Sequence, residues 1–102
     1  MNGGNNMNQD AIGYYGQEWK HFMEDHHPKL VAQMQKRGIY DDVAISVNRS
    51  ACDYGDVLRT QYAKQNPPPD APEQYRKWKF TRNHYIESAV MRERVLVAVT
   101  KP

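Results

Sequence analysis

Residues Asn66 to Pro72 read NPPPDAP. Three consecutive prolines have no N–H to give a helix or a central strand, and their rings clash with the turn before them. Such a run stays extended and acts as a short, stiff spacer. It divides the chain into two parts, each of which must make regular structure on its own side. A polyproline ligand for another domain is the other use of this pattern. Its place between two periodic segments favours a connection.

Upstream, Tyr15, Trp19, Phe22, Met23 and His26 recur at spacings of three and four, which predicts one face of a first helix. Pro28 disfavours helical geometry at His27 and suits the first position of a new helix. A second helix with Leu30, Val31 and Met34 follows. Lys36 and Arg37 complement the dipole in its last turn, and Gly38 is its expected left-handed cap. A third helix is expected from about Asp41 to Lys64, with the stripe Tyr40, Val43, Val47, Ala51, Tyr54, Leu58 and Tyr62 and a cap from Asp41 or Asp42. Beyond the prolines, Asp70 and Glu73 have the spacing of a capping pair. They open a fourth helix with Tyr75, Trp78, Tyr85, Ile86, Ala89 and Leu96 inward. The closing VLVAVTKP is read as a frayed helix end, since a lone strand would have no partner.

The fold expected is therefore all-α, a small bundle of about four helices in one domain over residues 13–102. Residues 1–12, rich in Asn and Gly, hold too little apolar surface to offset the entropy of ordering and are read as a flexible tail. The chain has 102 residues, enough for one modest core. A mean hydropathy of −0.93 and no apolar run near the ~20 residues of a membrane span exclude a transmembrane role. The N-terminus lacks a basic region followed by an apolar core, so no secretory signal is expected. One cysteine, Cys52, cannot make an internal disulfide, which fits a cytoplasmic setting.

Glu24-Asp25-His26-His27-Pro28 looks most like chemistry and is better explained as a helix joint. The imidazoles would sit in a last turn, near orphan carbonyls and the negative end of a dipole. Asp25 could pair with His21. A metal site would need His21, His26 and His27 at ligand spacing, and their separations of five and one do not provide it. His84 could join them only through the fold. Cys52 lies beside the inward Ala51 and reads as a small hydrophobe. Ser46 and Ser50 have no nearby histidine. Gly13-Tyr14-Tyr15-Gly16 resembles a turn before a helix rather than a phosphate loop. No catalytic constellation, cofactor or metal is expected, and the chain is read as a non-enzyme.

The charge is uneven. From Glu73 onward seven Lys and Arg face three acids, a segment of +4 in a chain of formal charge +2, leaving −2 for the first 72 residues. The candidate partner-binding residues are Arg76, Lys77, Lys79, Phe80 and Arg82. A protein partner is expected, with nucleic acid as a second possibility through the basic C-terminal helix. Among eleven aromatics, Tyr14, Tyr40 and Phe80 are candidates for exposed stacking, and the rest read as core. Arg82 falls on the apolar side of the fourth helix. Either its stem packs on Trp78 while the guanidinium finds Glu93, Asp53, Asp56 or a backbone carbonyl, or it marks a groove where a partner docks.

Tyr15-Gly16, the element Asp25-His26-His27-Pro28, Leu30, the turn Gly38-Ile39-Tyr40, Val47, Ala51, and the series Trp78, Asn83, Ala89 together resemble the TnpV family. These are small proteins encoded by transposons and conjugative elements of bacteria. The resemblance spans roughly Tyr14 to Leu96. It implies a setting, that of an accessory protein of a mobile genetic element, and no catalytic residue or cofactor. Three functions are open: binding a protein or nucleic acid, inhibiting a host nuclease complex in the manner of an anti-CRISPR protein, or, least favoured for want of a catalytic constellation, a small enzyme.

Overall fold

The computed structural model describes the backbone of residues 3–96 and the side chains of residues 12–96. It is all-α: α1 (Gly3–His26), α2 (Pro28–Lys36), α3 (Tyr40–Gln65) and α4 (Pro72–Val90), the last running into a π-helical turn at Met91–Val95. The frayed end expected for the last residues lies outside the described ones. In the segment read as a tail, the backbone is helical from Gly3 onward as the start of α1, and the side chains before Ile12 lie outside the described ones. The segment's final residue, Ile12, is 1% exposed and belongs to the core.

The breaks fall where proline and glycine put them. Pro28 is the first residue of α2, and Gly38 takes φ 71 after it. Pro72 is the first residue of α4, after an extended Ala71. The caps differ from expectation. Ile39 precedes α3 and Ala71 precedes α4, neither with a side-chain cap, so Asp41 and Asp42 lie inside the first turn and Asp70 and Glu73 form no capping pair. At α4 the proline at the first helical position leaves one fewer N–H without a partner. Asp41 instead holds Lys20 of α1 at 2.8 Å.

One further break lies inside α1. Gly13 has φ 78 and ψ 174, and the helix restarts after it. Asn48 of α3 accepts hydrogen bonds at its Oδ1 from the N–H groups of Tyr15 (3.0 Å) and Gly16 (3.2 Å). Those are donors that an N-cap residue of the same helix would satisfy. The cap comes from another helix, and it locks α1 against α3. Backbones approach closely here: a Cβ on Gly16 would lie 2.8 Å from the carbonyl oxygen of Ala44.

Around this contact sits the core: Ile12, Trp19, Met23, Ala44, Ala51, Ile86, Ala89, Val90 and Val95, with Val31, Tyr40 and Leu58 at its edges. Each large aliphatic side chain removed from water contributes about 1.5–3 kcal/mol. α1 covers α3 and the π-helical turn, yet among the described residues it reaches α4 only through a side-chain link from Tyr14 to Glu87. The consequence is visible in the dimensions, 53 × 38 × 19 Å with a radius of gyration of 16.6 Å. A compact chain of this length would have about 13 Å. The end of α3 and the start of α4 project from the body as a two-helix arm.

Candidate functional site

The arm explains why the inner face expected for α4 is only half realised. Ile86, Ala89 and Val90 are buried against α3 and the π-helical turn. Tyr75, Tyr85 and Leu96, expected inside with them, are exposed, Tyr85 by 51%. Only one neighbouring helix reaches the outer half of α4, so its aromatic side is covered on one flank.

The rings cover each other instead. Tyr62 at the end of α3 lies 5.7 Å from Trp78 and 5.8 Å from Tyr85, centroid to centroid. Tyr75 stacks on Trp78 at 5.7 Å with an interplanar angle of 23°. Offset and edge contacts of this kind are worth about 0.5–1.5 kcal/mol each beyond burial. Trp78 donates its indole N–H to the carbonyl of Asn66 at 2.8 Å, which ties α4 to the mouth of the proline spacer. Tyr62, Tyr75, Trp78 and Tyr85 thus form a ladder along the arm.

Cations sit on this ladder. The Arg82 guanidinium lies 5.2 Å over the Trp78 ring, and the Lys79 ammonium 5.8 Å over Tyr75. Arg82 is half-buried and donates to Asn83 Oδ1 at 3.0 and 2.8 Å. It meets none of the acids considered for it. Glu93 accepts from Tyr54 and Arg92, and Asp56 is taken by Arg59. Stacking on an aromatic face and bonding a neutral amide stand in for the expected carboxylate.

On the outward side of the same helix, Phe80 is 75% exposed and its ring stacks on His84 at 6.5 Å and 11°. Arg76 and Lys77, both exposed, precede Phe80 by four and three residues and are its neighbours on the helix surface. Among the described residues, none of Arg76, Lys77, Lys79 and Arg82 makes an ion pair. Further along this side, His84, Glu87, Ser88, Met91, Arg92 and Leu96 line an open groove of about 480 Å³.

The other candidates resolve differently. Tyr40 is 6% exposed, and its hydroxyl donates to Glu24 at 2.8 Å, so it is no stacking platform. Burial, and then the facing Glu24 carboxylate, push its phenol up. Tyr14 remains exposed, and its hydroxyl donates to Glu87 at 2.6 Å. That bond, ahead of burial, raises its pKa to about 12. His26 closes α1 and His27 precedes α2, as a joint requires, but both rings rest on Phe22 (4.9 and 5.8 Å) rather than on the last carbonyls. The acid near His21 is Glu18 at 4.0 Å, not Asp25. Cys52 is exposed rather than packed as a small hydrophobe. Among the described residues no three His, Cys, Asp or Glu side chains converge to hold a metal ion.

The four cations and Phe80 were readable from residue type alone. The ladder was not, because Tyr62, Tyr75 and Tyr85 carry the same helical spacing whether a third helix covers them or not. The cross-helix cap by Asn48 gave no local signal beyond an amide sitting between Ala44 and Ala51 on the buried side of α3. No family model, curated protein or solved structure matches this chain.

Proposed function

We propose that this protein is a non-catalytic accessory protein of a bacterial mobile genetic element and that it acts by binding a macromolecular partner along the outer half of α4. The observation that carries the reading is the set of cations Arg76, Lys77, Lys79 and Arg82, unpaired among the described residues and interleaved with exposed rings on an arm that no other described helix covers. Aromatic side chains and arginine are enriched at contact surfaces. The TnpV resemblance supplies the genetic setting.

The test compares capture from a bacterial lysate by the immobilised wild-type chain and by two variants, Phe80→Ser and the triple charge reversal Arg76→Glu, Lys77→Glu, Lys79→Glu. Capture is run with and without nuclease digestion. The reading expects at least one component to be held by the wild type and lost by both variants. Equal capture by all three overturns it. A component that survives digestion and is an RNA-guided nuclease would move the function to inhibition of host defence.

A further inference from the structure

We infer that the partner class is single-stranded nucleic acid, with Phe80 as a base-stacking platform and the surrounding cations on the phosphates. This rests on the reading of the arm as the binding surface and names what the arm would hold.

Charge gives the first argument. Between Pro72 and Ile86 the chain carries Arg76, Lys77, Lys79 and Arg82 against the single acid Glu73. A net +3 over so short a helix segment is matched by a polyanion, whose binding releases condensed counterions. Geometry adds direction. Arg76 and Lys77 adjoin Phe80 on the outward side, about one helical turn away, at about 6 and 4.5 Å along the axis. Lys79 and Arg82 are held toward the ladder by Tyr75 and Trp78, so two of the four cations are already positioned before any ligand arrives. Positive charge therefore lies beside the exposed ring on the outward side and continues round to the ladder side of the same helix.

That ring decides between single strand and duplex. Phe80 is 75% exposed and lies nearly parallel to His84, so an extended apolar surface faces water. Every unpaired base offers a π-face to such a surface, and stacking of this kind tolerates any sequence. Paired bases offer none unless a step of the duplex is first unstacked, at a cost of a few kcal/mol. A helix meant for the major groove would place hydrogen-bonding side chains at the position Phe80 occupies. An acidic protein would satisfy the cations but leaves the parallel Phe80–His84 pair without a specific role.

The experiment is fluorescence anisotropy with a labelled oligothymidylate of about 20 nucleotides and a duplex of equal length, across a salt series. The single strand should bind at least about tenfold more tightly than the duplex, with a slope of log K against log salt near −3 for four contacted phosphates. Phe80→Ala should weaken it on the order of tenfold without changing the slope. Arg76→Ala with Lys77→Ala should reduce the slope by about 1.4. Circular dichroism confirms that each variant keeps its helices, which the exposure of all three positions leads us to expect. Absent binding to the single strand at low salt, equal binding to the duplex, or indifference to Phe80→Ala each overturns the inference. If the oligonucleotide fails while variant-sensitive capture persists in digested lysate, the partner is a protein and the arm remains the binding surface. If capture too is insensitive to the variants, both readings fall.

Discussion

Asn48 and Gly13 stand so close that a Cβ added to the glycine would lie 2.4 Å from the Asn48 Nδ2. The asparagine can cap the second half of α1 only because no side chain intervenes, and the glycine holds a φ of 78 that other residues rarely adopt. Gly13→Ala combines backbone strain with this clash, and a loss of more than ~2 kcal/mol is expected. Asn48→Ala should cost about 1–2 kcal/mol through the lost cap. In urea unfolding the double variant should lose less than the sum, because each change spoils the same contact. Strict additivity would show that the two residues act separately.

Two helical glycines should respond to alanine with opposite signs. A Cβ on Gly55 would meet Arg59, Val90 and Ile86 at 3.8–3.9 Å, ordinary contact distances. Gly55→Ala should stabilise by about 0.5–1 kcal/mol through helix propensity. A Cβ on Gly16 would lie 2.5 Å from the Ile12 side chain and 2.8 Å from a backbone oxygen. Gly16→Ala should destabilise by ~1–3 kcal/mol. Thermal melts of the two variants check the pair, and a shared sign would contradict the close approach of α1 and α3.

Alkaline pH should loosen the molecule through three tyrosines. Tyr14, Tyr40 and Tyr54 each donate a hydrogen bond to a glutamate: Glu87, Glu24 and Glu93. The hydrogen bond to the carboxylate holds the Tyr14 and Tyr54 phenols above the ordinary 10.0, and burial does so first for Tyr40; Tyr14 lies at about 12. A raised folded-state value means that the contribution is fully present below pH 10 and is lost as pH climbs through the folded value. The melting temperature should fall from about pH 10 to 12, and less steeply in a Tyr14→Phe, Tyr40→Phe double variant. Absorbance titration should show delayed phenolate formation. At the acid end, Glu93 is held below the usual carboxylate range, first by Tyr54. That link persists until pH drops through the lowered value, and Tyr54→Phe should remove it.

Arg82→Met keeps a long stem against Trp78 and deletes a charge that has no carboxylate partner. Stability should change by no more than about 0.5 kcal/mol, as for an ordinary surface substitution. A loss of ~3 kcal/mol, the scale for breaking a buried ion pair, would mean that the guanidinium is structurally paired after all.

What could be read ahead of the structure follows from the range of each effect. Pro28, Gly38 and Pro72 act on their own backbone, so the breaks they dictate stand where local rules put them. Asp41 and Asp70 lie near helix starts and so look like caps, but Asp41 is engaged by Lys20 from another helix and Pro72 occupies the first position of α4. The spacing of Tyr75 and Tyr85 points to the interior, but spacing says which side of a helix is apolar and nothing about how far its neighbour extends. Arg76, Lys77 and Lys79 needed no such knowledge, since unpaired charges stay near water in any arrangement.

Val90 and Val95 are both fully buried although five positions separate them. In a regular α-helix that separation turns the side chain by about 140° from its predecessor, away from the core. Leu96 donates instead to the carbonyl of Met91 at 2.8 Å, five residues back, so the turn is wide enough to bring Val95 round to the same side. The helix therefore carries one residue more than a uniform coil needs. Removing the exposed Arg92 should leave the reading frame of buried positions intact, with Val90 and Val95 then four apart. The same excision at Arg49 in α3 would throw every inward side chain beyond it out of phase. Single-residue length variation should accordingly be accepted at this turn and rejected along α3, a contrast that helical content of the two deletion variants would reveal directly.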